Sequence, residues 1–141
     1  MRNCMFCDIA NGKVTSTKVY EDELIVGFMD IDPLSDGHVL LITKEHRLDL
    51  DELTDDESTR IMQVSKTVLK ALRESYDFGG YCIMQNGGAF NDIGHYHLHI
   101  FPRYNSDGFA WTWRDYTPKD TSDEGRKLKA KVSKLIINEN I

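Results

Sequence analysis

The stretch GHYHLHIFPR, residues Gly94–Arg103, places histidine at three alternate positions, His95, His97 and His99. Apolar or aromatic residues occupy the positions between them. Residues two apart on a β-strand share a face, so this pattern predicts a strand with imidazoles on one face and core residues on the other. Pro102 is expected to end the strand or to put it at a sheet edge.

Three explanations of the histidine row imply different chemistry. The row could be a half-exposed face that carries histidine by chance, although three of the five histidines in the chain lie here. It could bind one metal ion with all three imidazoles. However, residues i and i+4 lie about 13 Å apart along a strand, and zinc ligands lie within roughly 2.1 Å of the ion. A division of labour, in which each histidine has its own partner, fits the geometry best.

Four other strand-like runs precede the histidine strand. They are two runs within Thr17–Ile31 around an acidic turn, Gly37–Lys44 and Gly80–Asn86. Their β-rich composition and the turn residues between them favour short strands joined by hairpins or loops. Together with the histidine strand they predict a five-stranded sheet.

Two amphipathic helices complete the pattern. Thr54 and Glu57 have the spacing of a capping box, and apolar residues recur at helical spacing from there to about Tyr76. A last helix is expected from about Asp123 to Asn138. One long helix among strand runs is typical of the α+β class, so we predict an antiparallel sheet with one long helix and a C-terminal helix.

Composition limits the location and the partners. A chain of 141 residues is one domain by size, and its formal net charge of −6 gives no reason to expect nucleic acid or an anionic membrane surface as a partner. We find neither a signal-peptide pattern nor a membrane-length apolar run, so we predict a cytoplasmic protein. In that compartment Cys4 and Cys7 are expected to be a metal-binding pair or reduced thiols.

The loop before the histidine strand, NGGAFNDIGH, is rich in glycine. Its backbone N–H groups and small residues could hold a phosphate as an anion-binding nest. Glycine-rich loops also often just reverse the chain. The loop alone leaves both explanations open.

These features together resemble the histidine triad (HIT) superfamily, whose motif is His-x-His-x-His-x-x with apolar residues at x. Residues His95–Phe101 match the motif throughout. The upstream blocks CMFCDIANGKV, VYEDELIVGFMDIDPLSDGHVLLITKEH and MQNGG also match in order. The N-terminal Cys-x-x-Cys is similar to that of bacterial-type members. The resemblance implies a HIT domain at residues 1–104 and does not extend over residues 105–141. We predict that these form a C-terminal extension that packs on the same domain and ends in a helix.

The resemblance implies hydrolysis at the α-phosphorus of a purine nucleoside phosphoramidate or a dinucleoside polyphosphate. His97 would be the nucleophile and form a nucleotidyl-histidine intermediate, which water then cleaves. His99 would contact the phosphate and the leaving group, and His95 and His38 would form the supporting polar network. The family chemistry needs no metal ion in this step, and the family implies a homodimer.

The resemblance also implies two sets of ligands. Asp30 would bind the ribose hydroxyls, and Asn86 would lie near the phosphate. The apolar walls of the base pocket would be Phe6, Ile9, Phe28, Ile31 and Leu40. A structural zinc ion would be held by Cys4, Cys7, His46 and His95, although reduced cysteines without metal are the alternative.

The chain departs from the family pattern ahead of the triad. Most close relatives have Gly-Gln-Ser or Gly-Gln-Thr where this chain has Phe90-Asn91-Asp92. The hydroxyl group of that serine or threonine normally supports a phosphate, whereas Asp92 would put a carboxylate near an anion. We therefore include Asp92 among the nucleotide contacts and expect it to influence substrate choice, for example through a cationic leaving group.

Other functions stay open at this stage. One is a non-catalytic, dimeric module that binds zinc and nucleotide for regulation. Another is a metal-dependent hydrolase that uses a His-x-His pair. Trp111 and Trp113 either stack on the ligand or pack the C-terminal extension against the core.

Overall fold

The computed structural model describes residues 3–110 and 118–139. The chain divides into two units, Met1–Gly108 and Phe109–Ile141. Trp111 and Trp113 lie outside the described residues, so their role stays a prediction, as does the packing of residues 105–141 on the domain. Within the described ranges, no helix is long and apolar enough to span a membrane.

The first unit contains a five-stranded antiparallel sheet. Its strands are β1 (Lys18–Glu21), β2 (Ile25–Met29), β3 (Val39–Thr43), β4 (Gly80–Met84) and β5 (His97–Arg103), and its helices are α1 (Met5–Ala10) and α2 (Asp55–Ser75). The strands lie in the order β1-β2-β3-β5-β4. The second unit contains α3 (Ser122–Asn138). The predicted α+β class and five-stranded antiparallel sheet are confirmed.

Each face of the sheet is covered by a different cluster of apolar side chains. On β3, Val39 and Leu41 pack in the cluster that contains α2, whereas Leu40 and Ile42 pack in the cluster that contains α1. Alternate residues of a strand point to opposite faces, so a continuous apolar run such as VLLIT is what a strand covered on both sides requires. β3 is therefore a central strand of the sheet.

The long helix α2 begins at the predicted capping box. Thr54 Oγ1 accepts from the Glu57 N–H, and a Glu57 carboxylate oxygen accepts from the Thr54 N–H, which satisfies two otherwise unpaired donors. Arg47 forms an ion pair with the buried Glu57 carboxylate at 3.0 Å. Burial alone would raise the pKa of Glu57, but the Thr54 N–H and Arg47 together lower it. The start of the helix is thereby tied to the loop after β3.

The histidine strand is shorter than its sequence pattern suggests. β5 begins at His97, because the Tyr96 N–H donates to Arg47 O at 2.6 Å instead of joining the sheet ladder. Tyr96, Leu98 and Ile100 still enter the α2 cluster, as the alternation predicts. Pro102 does not end the strand: β5 continues to Arg103, but its pairing with β3 stops at Ile100. Pro102 therefore lies where β5 has only β4 beside it.

Candidate active site and metal centre

The triad lies on the α1 side of the sheet because of the strand register. His99 is paired with Leu40, and Leu40 is paired with Phe28. His97 is paired with Ile42 in the next row. Directly opposed residues share a face, so both histidines continue the apolar surface that α1 covers. The Phe6 ring of α1 packs edge-on to His97, with 5.3 Å between the ring centres.

A cavity of about 420 Å³ opens between these elements. Its lining combines histidine and aspartate side chains with apolar side chains. Its lining includes His38, His97, His99, Asp30, Asp32, Asp92, Phe6, Ile9, Phe28, Ile31 and Leu40. Ten of these residues are predicted site residues that the fold brings together. Asp32 and two further lining residues, Ser16 and Ile93, were not predicted from the sequence.

Hydrogen bonding fixes the tautomer of His97. Its Nδ1 atom lies 2.8 Å from the backbone oxygen of His95. A carbonyl oxygen only accepts, so Nδ1 carries the proton and Nε2 keeps its lone pair. His97 is buried, and its Nε2 lies 4.0 Å from Asp92 Oδ1 at the cavity. The side chain is therefore held with its basic nitrogen toward the space where a ligand fits.

A second chain of hydrogen bonds fixes His99. The Leu34 N–H donates to Nδ1 of His38 at 3.0 Å, so the proton of His38 lies on Nε2. That proton is donated to Nδ1 of His99 at 2.9 Å. His99 consequently carries its own proton on Nε2, where it is available as a donor.

Burial favours the neutral forms of His38 and His99. It lowers the pKa of His99 to about 4, with the nearby His97 and His38 adding to the effect. Burial also lowers the pKa of His38, although Asp30 opposes the change. A neutral imidazole has one donor and one acceptor, which is what the two hydrogen-bond chains require.

Asp30 lies beside this network. Its Oδ2 is 3.6 Å from His38 Nε2, and its Oδ1 accepts from the Asp32 N–H at 2.9 Å. Asp30, His38 and His99 lie close enough together to suggest a metal site. However, a neutral His38 that bound metal through Nε2 would carry its proton on Nδ1, and the Leu34 N–H already points at that atom. The cluster is therefore better suited to proton-ordered hydrogen bonding than to metal binding.

Cys4, Cys7, His46 and His95 form a second cluster, with one possible ligand atom from each residue and all four atoms within 4.8 Å of one another. Three sulfur–nitrogen distances are 3.2 Å, 3.4 Å and 3.5 Å. With Zn–S of about 2.3 Å and Zn–N of about 2.1 Å, tetrahedral geometry puts sulfur and nitrogen roughly 3.5 Å apart. The donor set and its spacing therefore fit a Cys2His2 zinc site.

The surroundings of this cluster also suit a metal. The second ring nitrogen of His95, Nε2, donates to the backbone oxygen of Thr43 at 2.9 Å, which leaves Nδ1 unprotonated and directed at the sulfur atoms. The Cys4 sulfur accepts the Cys7 N–H at 3.4 Å. Burial, followed by contact with Cys4, raises the pKa of Cys7 to about 11, and a zinc ion would reverse this effect by binding the thiolate. Burial likewise lowers the pKa of His95 to about 4.

The loop between β4 and β5 is held from outside the triad. Asp49 accepts the Gly88 N–H at 2.7 Å, and a Cβ atom at Gly87 would lie only 2.5 Å from an Asp49 oxygen. Asn91 donates to Leu48 O at 2.9 Å. These contacts fix the positions on either side of Phe90, while the next side chain, Asp92, stays 84% exposed at the cavity.

Asn86, Ile31 and Ser16 differ in their exposure and in whether they line the cavity. Asn86 is exposed and is not among the described residues that line it, so its place near the phosphate stays a prediction. Ile31 lines the cavity but is 96% exposed, which puts it at the rim. Ser16 also lines it, and its buried hydroxyl group has no hydrogen-bond partner among the described residues. No motif in the sequence indicated Ser16.

The chain matches known proteins over most of its length. The HIT domain family matches residues 11–106. Adenosine 5'-monophosphoramidase hnt1 of Schizosaccharomyces pombe is 33% identical over 135 residues, which cover 92% of this chain and 98% of that protein. The crystal structure of a HIT family protein from Bacillus subtilis superposes with a TM-score of 0.83 at 32% identity, covering 94% of this chain and 96% of that one.

A second solved structure bears on the metal centre. It is a zinc-bound histidine triad family protein from Mycobacterium smegmatis, with a TM-score of 0.70 and 33% identity, and the match covers 94% of this chain and 95% of that one. Together with the family match over residues 11–106, these similarities identify the chain as a member of the HIT domain family.

Proposed function

We propose that this protein hydrolyses purine nucleoside phosphoramidates or dinucleoside polyphosphates through a covalent nucleotidyl intermediate on His97. The observation that carries the proposal is the orientation of His97, whose Nδ1 proton is bound by His95 O at 2.8 Å while its Nε2 lone pair faces the cavity. A neutral, oriented imidazole is a suitable nucleophile. A similar protein from Schizosaccharomyces pombe that is named adenosine 5'-monophosphoramidase supports the substrate class.

The bond changes follow from the tautomers. Nε2 of His97 attacks the α-phosphorus, an N–P bond forms, and the bond from phosphorus to the leaving group breaks. The leaving atom keeps the electron pair of the broken bond and needs a proton. His99 presents a proton on Nε2 because its Nδ1 accepts from His38. Water then attacks the phosphorus and gives a proton back to Nε2 of His99. The His97–phosphorus bond breaks with its electron pair on Nε2 of His97, which releases the nucleotide and restores both imidazoles.

His38 is a positioning residue in this scheme. When His99 gives up its Nε2 proton, its Nδ1 can accept more strongly from His38, and the Leu34 N–H keeps His38 in the tautomer that donates. Preorganised donors of this kind stabilise charge that develops in the transition state without further rearrangement. The relay therefore supports proton donation at the leaving group.

The remainder of the cavity suits a nucleoside. Phe6 and Phe28 pack edge-on with ring centres 5.5 Å apart, and together with Leu40 they offer an apolar surface for a base. Asp30 also lines the cavity, with its Oδ2 3.6 Å from His38 Nε2, and its carboxylate can accept from two ribose hydroxyl groups. An apolar pocket with a few polar groups is typical of small-molecule sites.

We also propose that zinc is a resident structural ion in the cluster of Cys4, Cys7, His46 and His95. When bound, zinc would link α1 to the residues after β3 and before β5, and it supplies no chemistry to the reaction. Its support is the tetrahedral spacing described above and the zinc-bound relative from Mycobacterium smegmatis. The residue His95 would then hold zinc with its side chain and His97 with its backbone oxygen.

Intact-protein mass spectrometry tests the covalent step. Wild-type protein is incubated with adenosine phosphoramidate or diadenosine tetraphosphate, quenched with acid or base, and compared with a His97→Ala variant. We expect a base-stable, acid-labile adenylyl adduct in the wild type alone. An adduct that persists in His97→Ala contradicts the assignment. Absence of both adduct and turnover with either compound favours the non-catalytic binding module instead.

We further propose a homodimer, because β4 is an edge strand that carries exposed apolar side chains. Tyr81 and Ile83 are both exposed on this strand, and only β5 is paired with it among the described strands. Unpaired edges of this kind are templates for pairing with another chain. Light scattering after gel filtration gives the mass directly, and a monomer that stays monomeric at high concentration contradicts the proposal.

A further inference from the structure

The charged groups of the cavity are all acidic among the described residues that line it. Asp30, Asp32 and Asp92 contribute carboxylates, and no lysine or arginine is among those lining residues. The histidines of the relay add no compensating charge, because burial lowers the pKa values of His38 and His99. Among these described lining residues, no lysine or arginine therefore balances the several negative charges of a phosphate compound.

Asp92 is the carboxylate nearest to the reacting nitrogen. Its Oδ1 lies 4.0 Å from Nε2 of His97, and the side chain is held on a loop that Asp49 and Asn91 anchor. In an in-line displacement with a near-attack distance of about 3–3.5 Å, the leaving atom lies roughly 5 Å from the nucleophile. An exposed carboxylate at 4.0 Å from Nε2 is within reach of that leaving atom.

We propose that Asp92 makes the enzyme selective for amine leaving groups over phosphate leaving groups, an inference that rests on the proposed function. A carboxylate only accepts hydrogen bonds. The nitrogen of a phosphoramidate carries N–H donors, and it gains a further proton from His99 as the P–N bond breaks and the nitrogen keeps the electron pair. A polyphosphate leaving group offers only acceptor oxygens and carries several negative charges. Asp92 therefore accepts hydrogen bonds from the amine leaving group and repels the polyphosphate leaving group.

The size of the effect follows from Coulomb's law. At an effective dielectric constant of about 60, suited to an exposed group, two unit charges about 6 Å apart change a rate about fivefold. A leaving group with more than one negative charge raises the expected discrimination to about tenfold. The effect should shrink as salt is added, since the screening length falls to about 3 Å at 1 M.

The experiment compares kcat/KM for adenosine 5'-phosphoramidate and for diadenosine tetraphosphate, without added divalent cations. Asp92→Asn keeps the side-chain shape and removes the charge. Asp51→Asn is the control, because it changes the net charge equally at an exposed position that is not among the cavity residues. We expect the preference for the phosphoramidate to fall about tenfold in Asp92→Asn at low salt, to fall less at high salt, and to stay unchanged in Asp51→Asn.

The outcomes separate the two proposals. Turnover with an unchanged preference in Asp92→Asn overturns the selectivity inference and leaves the proposed function in place. A parallel loss with both substrates also overturns it, because that result indicates a role in loop positioning. A wild-type enzyme that processes neither compound overturns the proposed function, and the inference with it.

Discussion

Replacing Cys7 with serine is expected to remove the zinc ion and to loosen α1. A serine hydroxyl does not ionise at neutral pH, so the Cys7→Ser cluster keeps only three of its four ligands. α1 has six residues, which is far below the roughly 12–15 that an isolated helix needs. Its position therefore depends on its buried side chains, Phe6 and Ile9, and on the proposed metal link.

The stabilisation that zinc would give can be calculated from its binding to the folded state. A ligand present at a hundred times its Kd stabilises the folded state by about 2.7 kcal/mol. For a domain of about 100 residues, 1 kcal/mol shifts Tm by about 4–8 °C, so zinc at that concentration should raise Tm by about 10–20 °C. The Cys7→Ser variant should lose this response while keeping most of the apolar core, since the α2 cluster contains no zinc ligand.

The assay combines metal analysis with thermal unfolding. Cys82→Ser is the matched control, because Cys82 is a half-buried cysteine on β4 whose sulfur contacts Arg103 and lies outside the cluster. We expect about one zinc ion per chain in the wild type and in Cys82→Ser and almost none in Cys7→Ser. Cobalt in place of zinc should give the visible absorption of a tetrahedral thiolate site in the first two proteins only. Equal zinc content in the two variants would refute the reasoning.

Three other predictions concern titration, ligand binding and helix capping. Burial lowers the pKa of His99 from its ordinary value of 6.5 to about 4, so the unfolded chain binds more protons between these two pH values. The stability that neutral His99 provides is therefore present above pH 6.5 and is lost as the pH falls toward 4. Urea titrations of His99→Asn should give a slope of unfolding free energy against pH that is smaller by at most about 1.4 kcal/mol per pH unit. Ser16→Ala should weaken AMP binding about two- to tenfold in calorimetry without loss of Tm, because the buried hydroxyl has no hydrogen-bond partner among residues 3–110 and 118–139. Unchanged affinity would contradict a ligand contact. Thr54→Ala should lower the free energy of unfolding by about 1–2 kcal/mol, because it removes the hydroxyl that caps α2. The control Thr67→Ala, on the exposed surface of α2, should change that free energy by less than about 0.5 kcal/mol. Equal losses in the two variants would contradict the capping argument.

Local patterns predicted most of the fold because each depends on neighbouring residues. The period of two in the histidine stretch assigned Tyr96, Leu98 and Ile100 to the core, and the spacing of Thr54 and Glu57 located the start of α2. Both follow from local backbone geometry. The start of β5 was not predictable in this way, because a distant carbonyl group, that of Arg47, takes the Tyr96 N–H.

The candidate site depends more on contacts between distant parts of the chain. The sequence pattern and the family resemblance indicated the histidines and the cysteine pair, but the tautomers depend on Leu34 N–H and Thr43 O, which no motif identifies. The same is true of Ser16. Ser16 lines the cavity because the segment that contains it leads into β1 beside β2, as the hydrogen bond from Met29 N–H to Thr17 O indicates.

The two-residue spacing of His95 and His97 connects the cysteine–histidine cluster with the proposed nucleophile. The side chain of His95 turns toward the cysteines, and its Nε2 is held by Thr43 O at 2.9 Å. Its backbone oxygen then accepts from His97 Nδ1 at 2.8 Å, which is possible because His95 lies just before β5 rather than in its ladder. A residue that continued the strand would direct its carbonyl group toward a neighbouring strand or away from the sheet. Because β5 begins only at His97, His95 can contribute its side chain to the proposed metal site and orient the proposed nucleophile with its backbone oxygen.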